Sequence, residues 1–157
     1  MALEKELFQP SLKEDWQTTE SYDIRKLFYI SFFGGVIPTL ILGTRNAKWL
    51  KINSKIIYLL IFSGIIIYLG KILVLSYLTL TNLYDDHGRL TKTIYKVGSV
   101  LLYIGYYFAM KQKFNEHLFY NRNIKPILRV SLLLIFIGII ADIFFLTLGV
   151  GILENFI

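Results

Sequence analysis

A chain of 157 residues has room for one domain, and 55% hydrophobic residues with a mean hydropathy of +0.54 stand above the range of soluble domains and point to lipid as the solvent. The absence of cysteine excludes disulfides, thiolate metal sites and cysteine nucleophiles. The formal charge of +6 is no nucleic-acid signature, because the basic residues flank apolar runs, where cationic loops meet anionic headgroups.

Residues 1–26 form a polar, acid-rich tail (Glu4, Glu6, Glu14, Asp15, Glu20, Asp23), unlike a signal peptide, so the tail is expected to be retained. Ser11 and Glu14 have capping-box spacing after Pro10, and Leu12 with Trp16 makes this stretch partly amphipathic, suited to a membrane surface. Residues 27–157 read as a helical membrane domain with four apolar runs, 27–43, 56–80, 94–110 and 130–151. A spanning helix needs roughly 17–25 such residues. Continuous apolarity without period-two alternation selects helices over strands. Trp16, Tyr22, Trp49, Tyr84 and Tyr120 lie near the segment ends, where amphipathic rings anchor at the interface. The expected fold is an all-α integral membrane protein, an antiparallel bundle of about four apolar helices with an N-terminal surface segment.

The first run carries a bend element. Gly34 and Gly35 relax the helix, and Pro38 deletes a backbone donor near its middle. The run is therefore either a kinked crossing helix or a re-entrant hairpin. Lys5, Lys13, Arg25 and Lys26 precede it, and Arg45, Lys48, Lys51 and Lys55 follow it. Arg89, Lys92 and Lys96 surround the connection between runs two and three, while Lys111, Lys113, Arg122, Lys125 and Arg129 join runs three and four. Four crossings divide these charges nine to seven, whereas a hairpin divides them thirteen to three, the stronger positive-inside signal. Both topologies put 44–55 and 111–129 in the cytoplasm and the C-terminus outside.

Phe32, Gly34 and Gly35 open the first apolar stretch, and Asn46 and Leu50 close it. This pattern, Phe-x-Gly-Gly followed by Asn-aromatic-x-x-Leu, resembles a loose group of small bacterial multi-pass membrane proteins. Here Pro38 stands later than the proline of that pattern, and Ala47 replaces its aromatic residue. The resemblance covers about thirty residues and implies a bacterial origin, with no activity to transfer.

Lys71 in the second run and Asp142 in the fourth are ionisable groups at mid-membrane, each costing roughly 2.5–3.5 kcal/mol on insertion scales, so each needs a partner. The two runs point the same way, and both residues lie about three-fifths along them. Gly64, Tyr68 and Lys71 share one helical face; Ser131, Ile135, Gly138, Asp142, Phe145 and Gly149 share another. Direct packing of these faces and a Lys71–Asp142 ion pair are expected, with small residues allowing close approach. Tyr103 and Tyr107, on one face by their spacing, complete an expected intramembrane polar cluster of Lys71, Asp142, Tyr68, Tyr103 and Tyr107. Such a pair serves as glue fixing helix register or binding a partner helix. A proton- or ion-coupled site and outward snorkelling of Lys71 are the competing readings.

Asp85, Asp86, His87, Gly88 and Arg89 form the one dense polar cluster and read as a solvated turn; His117 falls in the opposite loop. No catalytic, cofactor-binding or metal-ligating set is expected, and no phosphate-loop, zincin or dinucleotide fingerprint occurs. The expected function is a non-catalytic accessory subunit, regulator or immunity-type protein of the bacterial cytoplasmic membrane. The alternatives are a small oligomeric proton- or ion-coupled transporter or channel using Lys71 and Asp142 and, third, a membrane-embedded lipid-modifying enzyme. Expected partners are the lipid bilayer and a second copy or another membrane protein, with no nucleic acid and no cofactor.

Overall fold

The computed structural model describes residues 20–120 and 124–155. The surface helix expected around Ser11 to Trp16 lies outside them. The described chain is mainly helical, with one short strand pair and short turns, in the order β1 (Ser21–Tyr22), α1 (Leu27–Gly34), α2 (Val36–Trp49), α3 (Ser54–Leu80), α4 (Tyr84–Tyr120), β2 (Ile124–Lys125) and α5 (Leu128–Glu154).

Two helices, α3 and α5, are long and apolar enough to cross a membrane. Each has 27 residues, about 40 Å at 1.5 Å per residue. Asn53 starts α3 as a side-chain cap, its oxygen accepting from the Lys55 N–H at 2.9 Å. Asn82, with φ of 56°, turns the chain from α3 into α4, a backbone conformation that asparagine tolerates better than most residues. α4 has 37 residues and overruns the apolar run 94–110 at both ends. The segment from Asp85 to Arg89 is consequently helical and not a turn. Asp85 falls in the first turn of α4, where a carboxylate offsets the exposed N–H groups of the helix end.

The first apolar run is two helices. They part at Gly35, whose φ of 75° and ψ of −154° lie in a region that is essentially glycine-only. Pro38 is the third residue of α2, inside its first turn, where its N–H would have had no intrahelical partner. The proline therefore breaks nothing; the glycine alone turns the chain. After the turn the chain returns to its starting level, because Asn46, late in α2, hydrogen-bonds the backbone of Tyr22, which precedes α1. α1 and α2 are thus the arms of a helical hairpin.

The hairpin is seated on all three long helices. Ser99 of α4 donates to the Ser31 carbonyl of α1 at 2.8 Å, and the Thr44 and Tyr106 hydroxyls of α2 and α4 are 2.7 Å apart. A Cβ on Gly64 of α3 would lie 2.5 Å from Leu40 of α2, and one on Gly34 would lie 2.7 Å from Ile135 of α5. These glycines are missing side chains that make room for the hairpin. The main core lies at this end of the molecule, built on Leu27, Leu42, Leu102, Tyr106, Met110 and Ile127.

α3 and α5 run parallel to each other and antiparallel to α4. Of the two expected facing stripes, only one half meets. Tyr68, Lys71 and Ser76 of α3 contact Phe145, Asp142 and Gly149 of α5. Gly64, Ile135 and Gly138 instead face Leu40, Gly34 and Pro38 of the hairpin, which wedges between the two helices from the other end.

Candidate functional site

The hairpin tip stops part-way along the bundle, beside Ile135 and Gly138 of α5. At the tip, the hairpin and helices α3, α4 and α5 line a half-open cavity of about 320 Å³, whose lining includes Phe33, Gly35, Lys71, Lys92, Lys96 and Asp142. Lys71 donates to Oδ2 of Asp142, and both side chains are partly covered, at 19% and 34% exposure. The Lys71 ammonium also stands 5.8 Å from the Tyr68 ring centroid, and that ring meets Phe145 edge-on at 6.0 Å. The Tyr68 hydroxyl is buried beside the same carboxylate and makes no hydrogen bond of standard geometry.

From α4 come a tyrosine and two lysines. Tyr95 packs at the level of Lys71, since a Cβ on Gly70 would touch its hydroxyl at 3.3 Å. The Lys96 ammonium lies 5.9 Å from the Phe32 ring at the hairpin tip. Lys92 points the other way, 5.2 Å from the ring of Tyr84, the first residue of α4. Three lysines and one carboxylate thus share one cavity, with one lysine already neutralised.

Of the residues expected to cluster, the structure brings together Lys71, Asp142 and Tyr68. Tyr103 and Tyr107 are placed elsewhere: Tyr103 packs on Phe28 at 5.7 Å and on Tyr107 at 5.9 Å, and Tyr107 lies under the Lys111 ammonium at 6.0 Å. Gly34 and Gly35 form the hairpin tip, and Pro38 packs just inside it against Gly138. Sequence reasoning missed Lys92, Lys96 and Tyr95. A signal for them existed, because Lys71 lies eleven residues before Asn82 along α3, and counting eleven residues on from Asn82 along α4 reaches Thr93, between Lys92 and Lys96.

A second polar cluster fastens the hairpin base. Ser21 Oγ donates to the Tyr22 carbonyl at 2.9 Å and to Asn46 Oδ1 at 3.1 Å, all of it buried. β1 pairs in parallel with β2, Ser21 against Ile124 and Tyr22 against Lys125, and Lys125 ion-pairs with Glu20 at 2.6 Å. The Arg45 guanidinium covers Trp49 at 4.6 Å. Close by on the chain, Lys113 donates to Glu116 at 2.9 Å and holds that exposed carboxyl below its ordinary range. These groups bind the chain to itself, and their chemistry is that of a clasp.

Comparison with protein-family models, with curated proteins and with solved structures found no match, so function has to be argued from this geometry.

Proposed function

We propose that the chain is a multi-pass protein of a bacterial cytoplasmic membrane, in which α3, α4 and α5 cross the bilayer and α1 with α2 forms a re-entrant hairpin. Its role is non-catalytic, as an accessory subunit, regulator or immunity-type protein. The apolar length of α3 and α5 supports the crossings. The clasp between Tyr22, Asn46 and β2 supports the hairpin, since it gathers the three most basic stretches of the sequence at one end, as cytoplasmic loops require.

One observation carries the role: the Lys71 and Asp142 charges are spent on each other. A closed pair bridging two parallel helices fixes register, which is a structural task. One face of α5 packs on α3 and the hairpin, and the rest stays exposed to lipid or to a further membrane helix, for only Ser131 and Gly138 of it are buried. A second reading, a small oligomeric proton- or ion-coupled transporter, is favoured by the same pair lining a cavity.

Single cysteines in this cysteine-free chain test the topology with an impermeant label on intact cells. Lys26→Cys and Asn53→Cys are expected to stay unlabelled while Asn82→Cys and Asn155→Cys react. Labelling of Lys26→Cys together with Asn82→Cys overturns the hairpin. A proton-dependent flux through reconstituted protein, abolished by Asp142→Asn, decides for the transporter.

A further inference from the structure

We propose that the cavity at the hairpin tip binds a phosphate-type anion, supplied by the headgroup of an anionic phospholipid or by free phosphate, with Lys92 and Lys96 as its cationic partners. The inference rests on the membrane reading above. Its starting point is a charge imbalance. Among the described residues Asp142 is the one carboxylate lining the cavity, and it is taken by Lys71; Lys96 and Lys92 add two cations to the lining, Lys92 also bordering a neighbouring cleft with Asp85. The Lys92 and Lys96 ammonium groups lie over the ring faces of Tyr84 and Phe32, which stabilise a cation far less than a counter-ion does.

Depth makes the imbalance costly. Tyr95 abuts Gly70, so Lys96, the next residue, sits near the level of the intrahelical charges. An unneutralised lysine at that depth is expensive. Snorkelling to the surface does not relieve Lys96, since its ammonium lies over Phe32 at the hairpin tip and not toward the start of α4. Lys92 reaches that start. Both lysines line the cavity, Lys96 on the side of the hairpin tip and Lys92 on the side of the α4 start, and Tyr95 joins the lining between them.

The volume fits a phosphate group with a few waters and excludes a whole lipid, whose chains would leave through the open side. Each ammonium offers three rotatable donors to non-bridging oxygens. Asp142 would repel an anion, and the Lys71 contact cancels that repulsion.

The test uses the full chain in nanodiscs of phosphatidylglycerol and phosphatidylcholine in equal parts, with retained lipid read by native mass spectrometry. The wild type is expected to keep phosphatidylglycerol selectively. Lys92→Gln with Lys96→Gln is expected to lose that preference about ten-fold, while Lys92→Arg with Lys96→Arg keeps it and shows that charge is what matters. Lys111→Gln with Lys113→Gln, an equal charge loss at the other end, is expected to leave it unchanged. Displacement of the lipid by inorganic phosphate assigns the site to the free anion, and resistance assigns it to the headgroup. Equal preference in the wild type and the Lys92/Lys96 glutamine variant, or equal loss in the Lys111/Lys113 variant, overturns the site. A chain that fails to enter the nanodiscs at all overturns the membrane reading instead.

Discussion

The side-chain amide of Asn46 holds the backbone of Tyr22 by both of its polar groups: the Tyr22 N–H donates to Oδ1 at 2.8 Å and Nδ2 donates to the Tyr22 carbonyl at 3.3 Å. One side chain here does what a neighbouring strand would do, and it does so fully buried. The two ends of the hairpin are joined through this single residue and the Ser21 hydroxyl beside it.

Asn46→Ala leaves the Tyr22 N–H and carbonyl buried without these partners, a cost of about 1–3 kcal/mol. Thermal unfolding in detergent is expected to show the loss, and a cysteine at Ser21, buried in the parent chain, becomes reactive to a soluble thiol reagent. An unchanged midpoint would mean that the clasp contributes nothing to holding the hairpin.

Lys71→Met and Asp142→Leu each strand a partly covered charge, and the double variant strands none. The double change is expected to be less damaging than the sum of the singles by about 1–3 kcal/mol. Exposure of 19% and 34% argues for the lower half of that interval. Reversing the pair, Lys71→Asp with Asp142→Lys, should restore most of the stability; failure to do so would show that the two helices hold register without it.

Gly35→Ala places a Cβ on a backbone at φ of 75° and ψ of −154°. The space is open, so the expected cost of about 1–3 kcal/mol is purely conformational. Replacing Gly35 by a D-alanine through chemical synthesis should recover it, which separates backbone strain from crowding.

Gly43→Ala and Gly151→Ala form a contrasting pair. A Cβ at Gly43 would lie 2.8 Å from the rigid ring of the buried Tyr106, whereas one at Gly151 meets nothing within 4 Å. The first is expected to lower stability by about 1–3 kcal/mol and to disturb the Thr44–Tyr106 hydrogen bond. The second should be neutral or stabilising by about 0.5–1 kcal/mol through helix propensity. Equal effects would remove the close approach of α2 and α4 as the reason for glycine at Gly43.

Parts of this architecture can be read from the sequence for definite physical reasons. Lys71 and Asp142 stand out because an ion in an apolar helix needs a partner, and counting residues along two parallel helices puts them at one depth. The double glycine marks the turn because few other residues adopt that backbone. The facing stripes are half legible: a helical period identifies which residues share a face, never which neighbour that face meets. Gly64, Ile135 and Gly138 accordingly fit the pattern and yet receive the hairpin. Tyr103 and Tyr107 share a face but sit at the wrong level, since α4 runs opposite to α3 and its depth scale starts from the Asn82 turn. Asn46 carries no signal as a clasp, because its partners are backbone groups distant along the chain.

The strand pair ties Ser21 to Ile124, and the hairpin leans on Ser99, Tyr106 and Ile135. At a synthesis rate of about 5–20 residues per second, roughly 5–20 s separate the emergence of the first apolar run from that of its last supports. During that interval the run has no finished seat. If the chain enters the membrane as proposed, α1 and α2 have no complete socket until α5 has been made, so their docking follows the order of contact and not the order of translation.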